Sequence, residues 1–179
     1  MKGSSTKGLE MANRKRVALI GFMGSGKSTV GRILASEWRV PHIDTDTHVA
    51  ARAGQQTVGD TFVALGEGAF RSVESTVLAD IVKTDEAVIS TGGGIVEIAG
   101  NQQLLAGWRT VFLYAELEAI MQRLSAPEHA ARPLLQDAAG AAHRYNHRLP
   151  RYRAWATDEI DTSNLSPQEI VDQIRIITG

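Results

Sequence analysis

The chain has 179 residues, 43% of them apolar and 22% charged, and its 19 basic and 20 acidic side chains leave a net charge of −1. That is the composition of one ordinary globular domain, with no general basic field for nucleic acid or anionic membrane, so any anion has to be bound locally. No apolar run approaches the roughly 20 residues of a membrane span, no signal-peptide core opens the chain, and there is no cysteine, which predicts a cytoplasmic protein and excludes disulfides, thiolate zinc sites and cysteine nucleophiles.

Residues 1–13 are small, polar and aperiodic, with a second methionine at Met11, and are set aside as a leader; residues 14–179 are expected to form a single domain. Arg16 to Ile20 is a short aliphatic, β-branched run that predicts a buried strand stopping at Gly21. From Lys27 the period changes, and Val30, Ile33, Leu34 and Trp38 mark one helical face, with Pro41 expected to end the helix. His42-Ile43-Asp44 predicts a second strand, leading into an Ala/Gly-rich stretch to about Gly68 in which helices are only weakly marked. Phe70, Val73, Val77 and Ile81 space out an amphipathic helix, and Ala87 to Ser90 predicts a third strand ended by Gly92-Gly93-Gly94. Thr110 to Tyr114 is a fourth strand, followed by a helix through about Leu124 and a proline-bearing loop over Ser125 to Gln136. A basic helix is expected over 138–157, interrupted or kinked at Pro150, and a short strand near Glu159-Ile160-Asp161 precedes a last helix. Ser166, Pro167 and Glu169 give that helix an N-cap, a first-turn proline and a capping box. Strands apolar on both faces and alternating with helices predict an α/β fold, a five-stranded parallel sheet with helices on both faces.

Gly21-Phe22-Met23-Gly24-Ser25-Gly26-Lys27-Ser28 fits G-x-x-x-x-G-K-[ST] and stands where its mechanism needs it, between a buried strand and a helix. Glycines let successive backbone N–H groups converge on phosphate, Lys27 adds a point charge, the helix N-terminus adds its dipole, and the Ser28 hydroxyl is placed to ligate Mg²⁺. A nucleoside triphosphate and Mg²⁺ follow. The guanine-reading segment of ordinary GTPases, Asn-Lys-x-Asp, is absent and the chain is short for a motor, which favours a small-molecule kinase. Such an enzyme needs a second pocket holding an acceptor hydroxyl in line with the γ-phosphate, and a cover against water.

The cradle is followed by Ile43-Asp44-Thr45-Asp46, Gly68-Ala69-Phe70-Arg71-Ser72-Val73-Glu74, Ser90-Thr91-Gly92-Gly93-Gly94, Arg132-Pro133-Leu134-Leu135 and Arg148-Leu149-Pro150-Arg151-Tyr152. In this order and near this spacing the motifs resemble those of the shikimate kinase family, within the nucleoside monophosphate kinase group of P-loop folds, from about Arg16 to the C-terminal helix. The resemblance implies ATP-dependent phosphorylation of the 3-hydroxyl of shikimate, giving shikimate 3-phosphate and ADP on the route to aromatic amino acids. It implies ATP contacts from Gly24, Ser25, Gly26, Lys27, Ser28, Thr29, Arg123 and Arg132, and Mg²⁺ held by Ser28 and Asp44. It assigns shikimate binding to Asp46, Arg71, Gly92, Gly93, Gly94 and Arg148, and catalysis to Lys27, Asp46 and Arg132. An acceptor-binding segment over about 44–72, a lid over about 125–136 and a monomer without nucleic-acid or membrane partners complete what it implies.

The residues themselves agree with these roles. A carboxylate at Asp46 can orient a hydroxyl and take its proton, planar guanidinium forks at Arg71 and Arg148 suit a carboxylate, and the three glycines would let backbone N–H groups meet a substrate. By its helical position alone Arg71 falls on the polar side, where most arginines are solvated. Two departures from the family pattern stand out. The interval from Arg123 to Arg132 is slightly long, and no arginine stands in Asp161 to Pro167, where many members have one. His143 and His147 are read as solvated side chains rather than metal ligands, and Trp38, Trp108 and Trp155 as packing residues. Two other readings stay open, a different small-acid kinase such as a gluconate kinase, and a non-catalytic nucleotide-dependent sensor.

Overall fold

The computed structural model describes residues 15–124 and 137–179. Five strands, β1 (Arg16–Ile20), β2 (His42–Asp44), β3 (Ala87–Ser90), β4 (Arg109–Tyr114) and β5 (Asp158–Asp161), form one sheet in the order β2-β3-β1-β4-β5. Every pair is parallel, with Val17 beside Val88 and Arg109, and Asp44 beside Ser90. The helices are α1 (Lys27–Trp38), α2 (Thr45–Arg52), α3 (Val58–Ile81), α4 (Gly100–Leu104), α5 (Leu117–Arg123), α6 (Ala138–Trp155) and α7 (Pro167–Thr178), with a 3₁₀ turn at Ile95–Glu97.

Because successive strand residues point to opposite faces, the buried strands divide their side chains between two cores. Val17, Leu19, Val88, Val111 and Leu113 join Val30 and Leu34 of α1 and Ile170, Val171 and Ile174 of α7 on one face. Ala18, Ile20, Ile89 and Phe112 join Phe70, Val77, Leu78, Tyr145 and Tyr152 from α3 and α6 on the other. With both faces apolar and covered, the buried charged side chains, Lys27, Arg71, Glu74 and Arg148, gather around the glycine run that follows β3, at the carboxyl edge of the strands, where open α/β sheets bind ligands.

Several expectations hold residue for residue, among them β2, β3 and the capping box of α7, where Ser166 accepts from the Glu169 N–H and the Glu169 side chain returns the contact. Three others are corrected. Pro41 does not end α1. The helix stops at Trp38 because Arg39 turns left-handed (φ 57°) and its N–H bonds back to the Ala35 and Ser36 carbonyls. Pro150 does not interrupt α6, which runs unbroken from Ala138 to Trp155. The carbonyl it deprives of a donor belongs to Asn146, which is exposed, and water can satisfy it, while Tyr145, Arg148 and Tyr152 pin the same helix to the interior. The amphipathic run from Phe70 to Ile81 is only the second half of α3, a 24-residue helix broken at Gly66 (φ 72°, ψ 166°), a conformation essentially reserved for glycine. The leader over 1–13, the lid over 125–136 and Arg132 lie outside the described residues. Among the described residues no helix is long and apolar enough to cross a membrane.

Candidate active site

Between β1 and α1 the chain turns on Gly24 (φ 82°) and Gly26 (φ 94°), both in the region that side-chain-bearing residues avoid, and Gly26 is the N-cap of α1. The loop frames a cavity of about 490 Å³ whose wall includes Gly24, Ser25, Gly26, Lys27, Ser28 and Thr29. Lys27 is buried, and its Nζ donates to the carbonyls of Gly21 and Phe22, each at 2.8 Å. The ammonium is thus held on the first carbonyls of the glycine loop, in the wall of the cavity and at the N-terminus of α1, an arrangement suited to polyphosphate. Ser90 Oγ, at the end of β3, donates to the Lys27 carbonyl at 2.9 Å and fixes the first turn of α1 to the sheet.

Asp44 closes β2 and N-caps α2, its Oδ1 accepting from the Asp46 N–H at 3.1 Å while its Oδ2 accepts from Ser28 Oγ at 2.6 Å. Two hard oxygen donors in contact at the edge of a phosphate-sized cavity fit Mg²⁺, which binds few protein ligands and keeps water and phosphate oxygens for the rest of its shell. No cluster of three or more acidic or histidine ligands stands among the described residues.

Asp46, in the first turn of α2, borders this cavity and a second one of about 320 Å³, as do Met23 and Gly93. Its carboxyl is pushed up from 3.8 to about 6, chiefly by burial and then by the neighbouring Asp44 and Glu74 carboxylates, against the pull of Lys27 and Arg71. A carboxylate tuned toward neutral pH at the seam of two cavities can accept a proton from a hydroxyl lying in one as phosphate leaves the other.

The second cavity is walled by the two limbs of α3, Val58 and Phe62 before the Gly66 break and Phe70, Arg71 and Glu74 after it, with Gly92 to Gly94 and Arg148 completing it. Arg71 is not solvated, contrary to its reading from helical position; it is 7% exposed, and its Nη1 donates to Glu74 Oε2 at 2.8 Å. The side of α3 that turns from the core here faces a cavity rather than bulk water. Glu74 is itself 1% exposed, and burial holds its carboxyl above the ordinary value although Arg71 pulls it down. Arg148, 2% exposed, enters from α6, donating from Nε to Glu97 Oε1 at 2.5 Å and from Nη1 to the Gly93 carbonyl at 3.4 Å. Tyr152, stacked on Phe112, donates its hydroxyl to the same Gly93 carbonyl.

The glycine run does more than clear space for backbone donors. The Gly92 N–H is already bonded to Thr45 Oγ1 at 2.8 Å, so it does not point at the cavity as expected. A Cβ on Gly92 would stand 2.6 Å from both Asp46 Oδ1 and Glu74 Oε1, and one on Gly94 would fall on the Arg71 guanidinium. The absent side chains are what admit the charged ones. Farther out, Arg123 lines the larger cavity together with Leu165 and Pro167, its Nη1 donating to Thr162 Oγ1 at 3.3 Å and its Nη2 to the Thr162 carbonyl.

The structure therefore brings Gly24 to Thr29, Asp46, Arg71, Gly92 to Gly94, Arg123 and Arg148 to one pair of adjoining cavities, with Asp44 held against Ser28 beside them, while His143 and His147 lie exposed on α6 with parallel rings 6.3 Å apart. Sequence reasoning gave no role to Glu74, Glu97, Thr45 or Tyr152. Glu74 carried a signal, a carboxylate three residues after Arg71 on one helix; Glu97 carried none, since its partner Arg148 is 51 residues away.

A sequence model of the shikimate kinase family matches residues 23–177. A shikimate kinase of Enterococcus faecalis is 37% identical over 161 residues, spanning 88% of this chain and 95% of its own. One of Thermobifida fusca is 38% identical over 166 residues, spanning 92% and 95%. The shikimate kinase from Acinetobacter baumannii in complex with shikimate superposes with a TM-score of 0.85 at 29% identity, over 94% of this chain and 95% of that one. The thymidylate kinase from Candida albicans shares the fold alone, with a TM-score of 0.57 at 17% identity.

Proposed function

The chain belongs to the shikimate kinase family, and from that premise we propose that it transfers the γ-phosphoryl group of ATP to the 3-hydroxyl of shikimate, releasing shikimate 3-phosphate and ADP in the biosynthesis of aromatic amino acids. The observation that carries the reading is the place of Asp46 at the seam between a glycine-lined phosphate cavity and a smaller cavity flanked by two buried arginines. An anionic polyol in the smaller cavity and a triphosphate in the larger one meet there.

Transfer is direct and in line, because the cradle offers no nucleophile for a covalent intermediate. Gly24, Ser25, Gly26, Ser28 and Thr29 hold the phosphates, and Lys27 exchanges its carbonyl partners for β- and γ-phosphate oxygens. Arg71 and Arg148 grip the shikimate carboxylate with planar forks, the Gly92 to Gly94 turn seats the ring, and Asp46 orients the 3-hydroxyl and receives its proton. Adenine lies between Arg123 and Pro167, both of which line the nucleotide cavity. Mg²⁺ held by Ser28 and Asp44 would supply charge neutralisation on the phosphates. Arg132, outside the described residues, is proposed as a further cation for the transferring group. The reading extends to a cytoplasmic monomer acting as one kinase unit over 14–179 without nucleic-acid or membrane partners, and the net charge of −1 supports the lack of a polyanionic partner.

The test is ADP release from MgATP with shikimate, gluconate, quinate or no acceptor. Shikimate-dependent release that disappears in Asp46→Asn is expected. Release with gluconate instead would transfer the assignment to another small-acid kinase, and the absence of release with every acceptor would overturn the catalytic reading in favour of a nucleotide sensor.

A further inference from the structure

Glu97 lies on the 3₁₀ turn that follows the glycine run, its backbone N–H bonded to the Gly94 carbonyl at 2.9 Å. Its carboxylate is shared between two guanidinium groups of α6, one oxygen for each. Oε1 accepts from Arg148 Nε at 2.5 Å and Oε2 from Arg151 Nη1 at 2.6 Å. Burial works against the charge, but the hydrogen bond from Arg148 and the two positive charges outweigh it and hold the carboxyl below its ordinary range. It is therefore an anion throughout the physiological range.

Arg148 borders the smaller cavity and Glu97 does not. The carboxylate thus stands behind the guanidinium, on the side away from the acceptor, and does not occupy the acceptor's place. The other contacts of Arg148 are with neutral groups, the Tyr152 hydroxyl and, from Nη1, the Gly93 carbonyl at a long 3.4 Å. Without Glu97 the fork would lose its charged partner and keep, among the described residues, only the neutral contacts to the Gly93 carbonyl and the Tyr152 hydroxyl, and an incoming carboxylate would have to immobilise it at the cost of side-chain entropy.

We infer that Glu97 is a positioning residue for acceptor recognition, clamping Arg148 from behind with Arg151 as the second cation that keeps the clamp in place. The inference rests on the proposed role of Arg148 toward the shikimate carboxylate. A glutamine at 97 keeps the shape but offers one acceptor oxygen for two guanidinium groups and turns an amide N–H₂ toward the other. An aspartate keeps the charge with a shorter reach, and Arg151→Gln leaves the clamp but removes half of its support.

The experiment is steady-state kinetics of wild type, Glu97→Gln, Glu97→Asp and Arg151→Gln with shikimate and with its methyl ester, which lacks the ionised carboxylate. For Glu97→Gln the expected result is a KM for shikimate raised about tenfold, a kcat within about twofold of wild type and an unchanged KM for MgATP. Glu97→Asp recovers most of that loss and Arg151→Gln shows about a third of it. On the methyl ester, wild type and Glu97→Gln have equal kcat/KM, because there is no carboxylate for a well-placed Arg148 to hold. An unchanged KM for shikimate overturns the inference, and so does a lowered one, which would make Glu97 a competitor for Arg148. An equal loss on acid, ester and MgATP overturns it too, as general damage to the fold. Failure of wild type to use shikimate sinks the functional reading instead, and the two failures are told apart by the wild-type assay alone.

Discussion

Replacing Asp46 with asparagine should remove the activity and at the same time stabilise the protein. The carboxyl titrates near 6 rather than at 3.8 because it is buried beside Asp44 and Glu74. A group whose folded value lies above its unfolded one binds a proton more readily in the native state, so its ionisation destabilises the fold. The penalty is complete above about pH 6, shrinks as the pH falls toward 3.8 and is absent below that. At about 1.4 kcal/mol for each pH unit, the interval corresponds to an upper bound of about 3 kcal/mol. Asp46 keeps part of its surface in the walls of the two cavities, and water there reduces this to about 1–2 kcal/mol. For a chain of this size that is a rise in Tm of roughly 3–6 °C for Asp46→Asn at pH 7.5. The backbone N–H of residue 46 still caps against Asp44, so the helix start is undisturbed. Calorimetry of both proteins between pH 5 and 7.5, without ligands, reads the effect, and the gap between them should narrow toward the acid end. Turnover should fall by about 10² to 10⁴. An asparagine variant no more stable than wild type at pH 7.5, or one whose advantage is the same at both ends, would refute the electrostatic argument.

Gly92→Ala places a Cβ 2.6 Å from the Asp46 and Glu74 carboxylates and should cost about 1–3 kcal/mol. Its chemical-denaturation midpoint should fall, together with kcat, because Asp46 itself is displaced. Arg71→Met strands the Glu74 carboxylate, which is 1% exposed, at a cost of about 3–5 kcal/mol. The double variant Arg71→Met/Glu74→Gln should recover most of that stability and none of the affinity for shikimate, as urea unfolding and substrate titration would record. Asp44→Asn preserves a good N-cap for α2, so Tm should hold while the Mg²⁺ concentration for half-maximal rate rises; an unaltered Mg²⁺ dependence would remove Asp44 from the metal site.

What could be read from the chain depended on where each element's second face points. β1, β3 and β4 are buried on both sides and α1 and α7 lie between sheet and solvent, so apolar runs and helical spacing located them. The limb of α3 before Gly66 packs instead along the smaller cavity, where apolar and small residues alternate without a core-facing stripe and Val63 stays 77% exposed. Its periodicity was therefore faint, and the break at Gly66 was invisible because an isolated glycine in a helix pattern does not announce its φ. Periodicity placed Arg71 on the non-core side of its helix but carried no information on whether water or a cavity lay beyond. Glu97 depends on contacts across 51 and 54 residues, and such pairings leave no trace in local spacing.

The cations of the site meet an incoming anion already partnered. Lys27 rests on the Gly21 and Phe22 carbonyls, Arg71 on Glu74 and Arg148 on Glu97, at 2.8, 2.8 and 2.5 Å for the bonds concerned. An unpaired charge buried this deeply would be costly enough to unfold a marginal domain, so the ligand-free protein needs these contacts to keep the site assembled. Their partners differ in kind, and the difference separates the two substrates. Backbone carbonyls are neutral, and Lys27 can leave them for phosphate oxygens with a net gain in charge pairing. The side chains of Glu74 and Glu97 belong to the fold and remain, so Arg71 and Arg148 can offer only the N–H groups those side chains leave unused. Under the proposed roles, affinity for the nucleotide would be set by an exchange of partners, and affinity for the acceptor by how rigidly Glu74 and Glu97 aim the two forks.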